Sequence, residues 1–286
     1  MPGFTLAADA PIDLHLHTIY SDGSWRPEDL FDHLRERGFR LVAVTDHDTL
    51  DAREEMRALG QERDIVALVG VEVTSGWRDG VAHVLCYARE LTGGLLGELV
   101  RATVAGMEAN NQEVYQELRH RGYRFPRQGD LLAAQGGRLR RPVDNATLLM
   151  AHGYAADLEQ GLAMIRDAGY RIISAPIQSV VEAAHASGAV ALLAHPGRRS
   201  EIRDYPTDLL RELLDEVPLD GLEVYYPTHS GTQVAEYEAM AGERELLVSA
   251  GSDSHRPGQR LPVAYEAARV AKLLARLGIA LAEESG

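Results

Sequence analysis

The segment Ile12-Asp13-Leu14-His15-Leu16-His17 sets two histidines at alternate positions of a β-like run. Strand side chains alternate between faces. Both imidazoles therefore project to one side with Asp13, while Ile12, Leu14 and Leu16 take the other. Two imidazoles on one strand face form a chelating pair, although an isolated pair is as often an ordinary half-buried feature. Here the pattern recurs. Leu41–Thr45 runs into Asp46, His47 and Asp48, and Ile65–Val73 carries Glu72 near its end. Ala189–Ala194 leads to His195-Pro196-Gly197-Arg198, and Leu246–Ala250 to Gly251-Ser252-Asp253-Ser254-His255. His83 lies near the start of Val81–Tyr87. With Asp22, the candidate metal ligands are His15, His17, Asp22, His47, Glu72, His83, His195, Asp253 and His255. Nine nitrogen and oxygen donors exceed what one ion takes; they suit two or three divalent ions sharing a bridging carboxylate. A set without Cys favours Mn2+, Zn2+ or Fe2+, with Mn2+ the first choice. Buried imidazoles and carboxylates at this density are costly without compensation, and metal ions are the simplest compensation.

The elements that would position these residues are short strands divided by helical patterns. Ile12–His17, Leu41–Thr45, Ile65–Val73, Val81–Tyr87, Ala189–Ala194, Gly221–Tyr225 and Leu246–Ala250 read as strands. Pro27 opens a helix to Arg37 that Gly38 ends, and Pro176 to Ser187 with Gly188 repeats the device. This alternation predicts an α/β parallel sheet or barrel, with strand C-terminal ends gathered at one face. The loop Thr74–Gly80 is too short for a parallel crossover, so Ile65–Val73 and Val81–Tyr87 should form a hairpin. That places the start of the second strand, and His83, beside the other strands' ends. From 91 to 175 no convincing strand appears. Helices are expected at Leu95–Arg121, Val143–His152 and Ala156–Ala168. The expected division is a barrel from 1–90 and 176–286, with a helical insertion at 91–175 beside the active-site mouth.

The formal net charge of −14 over 286 residues disfavours a groove for long nucleic acid, whose binding rests on phosphate neutralisation. It leaves room for a small phosphorylated ligand, because a metal cluster reverses the local field. No apolar run is long enough for a membrane span, and no signal peptide is read at the N-terminus. One cysteine, Cys86, makes no internal disulfide, so the cytoplasm is expected. The oligomeric state is left open.

The segments HLHTIYSDGSWRP, TDHDTLD, GVEVT, AHPGR and GSDSH, in this order, resemble the PHP family, named for polymerase and histidinol phosphatase. The resemblance spans all but about the first ten residues. It implies a distorted seven-stranded (β/α) barrel and hydrolysis of phosphate esters. It also implies an allocation of ligands. One metal would take His15, His17, Glu72 and Asp253; a second Glu72, His83 and His195; a third Asp22, His47 and His255. Asp22 stands where some members have histidine, which leaves two or three filled sites open. Within the family the chain looks most like phosphatases of nucleoside 3′,5′-bisphosphates and short RNA oligonucleotides. That group usually carries an RPH segment in its insertion, and here the matching residues are Arg141-Pro142-Val143.

On this reading Arg198, three residues after His195, grips a phosphate through its planar guanidinium. His229 protonates the leaving oxygen or contacts phosphate, and Asp46 acts as an acid–base group or orients a ligand histidine. Asp13 could orient its own strand in the same way. Ser21 and Arg141 are further candidate substrate contacts, and Arg199 is read as solvated. His33, His120, His152 and His185 are read as structural. An L-histidinol-phosphate phosphatase is the alternative enzyme, and a non-catalytic metal-binding module the alternative of another class.

Overall fold

Seven strands carry the main sheet: β1 (Pro11–Leu16), β2 (Leu41–Val44), β3 (Val66–Trp77), β4 (Gly80–Ala88), β5 (Val190–Leu193), β6 (Gly221–Tyr225) and β7 (Leu247–Ala250). The structure is a computed structural model that describes residues 5–91, 94–133, 139, 143–198 and 205–282. Neighbouring strands follow chain order. Pairing is parallel except on both sides of β4, which is antiparallel to β3 and to β5. The sheet curls back on itself. The Asp253 N–H donates to the His15 carbonyl at 2.8 Å, and the His17 N–H to the Ser254 carbonyl at 3.0 Å. The result is the expected α/β fold, a distorted and nearly closed seven-stranded barrel.

Gly251 permits that closure: a Cβ there would lie 2.1 Å from the His15 Cβ. Residues from β1 to β5 and β7, including Leu14, Leu41, Leu68, Leu85, Tyr87, Leu192 and Ala250, meet in one apolar cluster. Only a barrel interior brings so many strands together. Outside it, α1 (Pro27–Glu36) and α2 (Arg53–Glu62) pack Leu30, Phe31, Leu34 and Met56 against Leu16, Val42 and Val44. Pro27 occupies the first turn of α1, and Gly38 follows its end at φ +78°.

Two expectations change. The stretch Thr74–Gly80 is not a loop. The β3–β4 ladder continues through Thr74↔His83 and Ser75↔Ala82 to Trp77↔Gly80, and the chain reverses at Arg78-Asp79. The polar and small side chains of Thr74, Ser75 and Gly76 suggested a loop, but their backbone groups are paired across the hairpin. Trp77 is buried, and the Arg78 guanidinium stacks on its ring at 4.2 Å. The strict alternation expected for β1 is also broken. Its register against β2 slips between Asp13 and Leu16. Such a bulge places two residues opposite one and re-aims the side chains beyond it. Ile12 and Leu14 accordingly join the interior cluster, whereas Leu16 packs under α1 and α2.

By compactness the chain divides into Met1–Val100 with Ala175–Gly286, and Arg101–Ser174. The long helix α3 (Gly94–His120) begins in the first unit. The second unit adds α4 (Gln128–Leu131), α5 (Asp144–Ala151) and α6 (Leu158–Asp167), around Val114, Leu118, Phe125, Leu148, Leu149 and Ile165.

Candidate active site

The strand directions decide where the site forms. β1, β2, β5, β6 and β7 end at one rim, and the residues just after them supply most of the candidates. β3 runs on past that rim, so Glu72 lies within it; its N–H donates to the Thr45 carbonyl at 3.1 Å. Glu72 pairs with Leu85 in the ladder, which makes His83 its diagonal neighbour.

Glu72 is the centre of the cluster. Its Oε2 lies 3.0 Å from His15 Nε2, 3.0 Å from His17 Nε2 and 3.4 Å from His47 Nε2. Its Oε1 lies 2.9 Å from both His83 Nδ1 and His195 Nε2. Asp253 Oδ1 stands 3.2 Å from His17 Nε2 and 3.5 Å from His15 Nε2. At the outer edge Asp22 Oδ1 is 3.2 Å from His255 Nε2 and 3.8 Å from His17 Nδ1. All nine candidates are thus gathered in one place. Three groups have donor atoms within 4.8 Å of one another: His15, His17, Glu72 and Asp253; His47, Glu72 and His83; and His17, Asp22, His47 and His255. His47 therefore faces two of the groups, where the resemblance implied one.

The donors fit divalent ions better than they fit one another. His15 Nε2 and His17 Nε2 point at each other across 3.1 Å. In the protein alone only one proton fits between them, so the two rings cannot both be charged or both be bare on that side. Among the described residues, the Nδ1 atoms of His17, His47 and His195 are buried without a hydrogen-bond partner. The electrostatics of the protein alone are correspondingly split. Burial opposes charge on His17, yet its hydrogen bonds to Asp253 and Glu72 together push it up to about 10. Burial dominates at His47 and pulls it down to about 3. Burial also acts against charge on Glu72 and Asp253, but the surrounding imidazoles hold both well below the usual carboxylate range. A cation shared among these groups satisfies donors that otherwise need this uneven protonation.

Residues 13–123 match the family model of the PHP domain. That stretch carries the PHP domain. It is 28% identical to the 5′-3′ exoribonuclease Rnm of Escherichia coli, over 86% of this chain and 85% of that protein. It is 27% identical to a 3′,5′-nucleoside bisphosphate phosphatase of Chromobacterium violaceum, over 87% of this chain and 89% of that protein. The fold is shared with the crystal structure of a proposed metal-dependent phosphoesterase from Bifidobacterium adolescentis, at a TM-score of 0.74 and 24% identity. That match covers 93% of this chain and 96% of the other.

Around the donors lies a layer of supporting groups. Glu223, fully buried in β6, accepts from His15 Nδ1 at 2.9 Å through Oε1 and from the His195 N–H at 2.8 Å through Oε2. Tyr226 donates its hydroxyl to Asp253 Oδ2 at 2.9 Å. Arg198 Nη1 reaches the same oxygen at 2.8 Å and Arg260 Nη1 at 3.3 Å. Residue types and spacing did not single out Glu223, Tyr226 or Arg260. For Glu223 there was a signal, a carboxylate in the middle of the apolar strand GLEVY. His195 and Asp253 both hold left-handed backbone, with φ +29° and +55°. Such conformations are costly away from glycine and gather at functional sites.

Other expected residues take different places. Asp46 accepts from the Thr18 N–H at 2.7 Å, the Thr18 hydroxyl at 2.6 Å and the Ser21 hydroxyl at 2.6 Å. It clamps the turn that carries Asp22 rather than a histidine ring. Asp13 accepts from the backbone N–H groups of His15, Ser252 and Val263, so it ties β1 to the segment after β7 instead of orienting an imidazole. His229 Nδ1 donates to the Val224 carbonyl at 2.9 Å, and its Nε2 accepts from the Gly197 N–H at 3.2 Å. The ring thereby holds the Gly197–Arg198 turn. His152 bonds the Leu148 carbonyl and the Arg127 N–H, and His185 pairs with Asp220. Arg141 and Arg199 lie outside the described residues.

Proposed function

We propose that this PHP-domain metal-dependent phosphoesterase removes the 3′-phosphate of nucleoside 3′,5′-bisphosphates, with short RNA oligonucleotides as a second substrate class. The observation that carries this reading is Glu72, whose two oxygens each face a separate set of imidazoles. That is the geometry of a carboxylate bridging two ions, next to an arginine suited to phosphate. The names of the two curated relatives supply the substrate class. His15, His17, Glu72 and Asp253 would hold one ion; Glu72, His83, His195 and His47 would hold a second; Asp22, His47, His255 and His17 would be the donors for a third. Mn2+ is the metal we favour for these nitrogen and oxygen donors. Bound divalent ions would supply Lewis-acid charge to the phosphoryl oxygens and activate water.

The protein's own groups do the positioning. Arg198, about one-third exposed and tethered to Asp253, presents its guanidinium to the phosphoryl oxygens. His229 acts by holding the turn that carries Arg198, so the proton-donor role first expected of it gives way to positioning. Asp46 fixes Thr18 and Ser21, and so the approach past Asp22. Arg141, outside the described residues, remains a candidate substrate contact. Among the described residues no helix is long and apolar enough to cross a membrane. A cytoplasmic location is part of the proposal, in keeping with the single buried Cys86. The test is phosphate release from nucleoside bisphosphates, histidinol phosphate and short RNAs after Mn2+ reconstitution. Preferred turnover of a 3′,5′-bisphosphate is the expected result. Turnover of histidinol phosphate alone would move the assignment to that phosphatase, and no turnover of any would overturn it.

A further inference from the structure

Two guanidiniums meet on one carboxylate oxygen. Arg198, from the turn after β5, and Arg260, from the segment after β7, both place Nη1 on Asp253 Oδ2, at 2.8 and 3.3 Å. One carboxylate oxygen cannot neutralise two arginines, and Asp253 is also a proposed metal donor through Oδ1. Two fixed guanidiniums thus stand together at the rim of a chain of net charge −14.

Arg260 is built into this position. Its Nη1 donates to the Tyr226 hydroxyl at 2.6 Å, and its guanidinium carbon sits 5.2 Å from the Tyr226 ring centroid. Its carbonyl accepts from the Ser254 hydroxyl, which in turn accepts from Trp25 Nε1 at 3.0 Å. Arg260 Nη1 also lies 3.5 Å from the Ser252 carbonyl. Among the described residues, every hydrogen bond of the Arg198 and Arg260 guanidiniums runs through Nη1. With respect to the described residues, Nε and Nη2 of each remain for water or a ligand, and both side chains are about one-third exposed, at 31% and 35%. Guanidiniums sharing one oxygen lie close enough for a single tetrahedral anion to bridge them, and their remaining donors form the planar forks that match phosphate oxygens.

We propose that Arg260 is a second phosphate-binding residue that pairs with Arg198 on one phosphoryl group beside Asp253. The inference rests on the phosphoesterase reading for its ligand class. Its test uses inorganic phosphate as the probe, so the two can fail separately. Phosphate binding is measured by calorimetry on the Mn2+-loaded protein, for the wild type, Arg260→Gln and Arg260→Lys, with metal content and melting temperature recorded for each. Arg260→Gln should weaken phosphate binding about tenfold or more, the scale of a lost charge-assisted hydrogen bond, with metal content unchanged. Arg260→Lys should also bind phosphate several-fold more weakly, because it keeps the charge and loses the fork. Wild-type phosphate affinity in Arg260→Gln with metal retained would overturn the proposal and leave Arg260 a neutraliser of Asp253. Should Arg260→Gln lose metal, Arg260→Lys decides: wild-type phosphate affinity there overturns the proposal, and weakened affinity at full metal content supports it. Failure of every ester in the substrate panel would sink the functional reading without touching this titration.

Discussion

Glu223 ties His15 to His195: one oxygen accepts from the His15 ring at 2.9 Å and the other from the His195 backbone N–H at 2.8 Å. The first bond puts a proton on His15 Nδ1 and leaves Nε2 facing the cluster. The second holds His195 in its left-handed backbone conformation. A carboxylate used this way orients ligands from both sides of Glu72 without binding metal itself.

Glu223→Gln should therefore lower metal affinity roughly 10- to 100-fold, the usual effect of losing such a partner. The amide turns one of the two acceptors into a donor that faces an N–H. Metal titration of the purified variant checks this, and affinity equal to wild type would reduce Glu223 to a packing residue.

Metal analysis of gently purified protein should show more than one equivalent of transition metal. Chelation should lower the melting temperature and Mn2+ restore it, because ions that bind only the folded state stabilise by mass action, about 2.7 kcal/mol at 100 times Kd. A protein that takes up no metal on reconstitution would end the metal-dependent reading.

Asp253→Asn and His17→Ala should each abolish turnover with little change in the far-ultraviolet circular dichroism. Both side chains belong to the donor group around Glu72, whereas the barrel core is formed by apolar residues such as Leu14, Leu85 and Leu192. Near-normal activity in either variant would remove that residue from the site.

Arg198→Lys should lose catalytic efficiency on the order of ten- to a hundredfold, since about 1.5–3 kcal/mol goes with a charge-assisted hydrogen bond and 1.4 kcal/mol is about tenfold. Because Arg198 also touches Asp253, metal content must be measured beside the rates. Wild-type kinetics would make Arg198 a bystander; parallel loss of metal would assign it to holding Asp253.

Gly251→Ala should destabilise by roughly 1–3 kcal/mol, as overpacking does. The new methyl would meet the His15 Cβ at 2.1 Å and Glu223 Oε1 at 2.8 Å, so β7 must move from β1 where the barrel closes. Lower melting temperature and weaker metal binding should appear together. An unchanged melting temperature would show that the closure is loose.

The sequence by itself determined the strand count, the helix starts at prolines, and the donor chemistry. These are local properties. A histidine at every second position and charged residues at the ends of apolar runs are written in neighbouring residues, and strand direction then gathers them at one rim. Tertiary structure alone decided what depends on register and on distant partners. The slip in β1 between Asp13 and Leu16 sent Leu16 to the helix side, and Asp13 met the distant backbone amides of Ser252 and Val263, which alternation by itself could not reveal. The pairing of Thr74 to Gly76 made a strand of residues whose composition suggested a loop. The bonds of Glu223 to His15 and of Arg260 to Asp253 join residues that only the fold brings together. Such contacts exist only once the barrel has closed, because burial then forces each polar group to find a partner among its new neighbours.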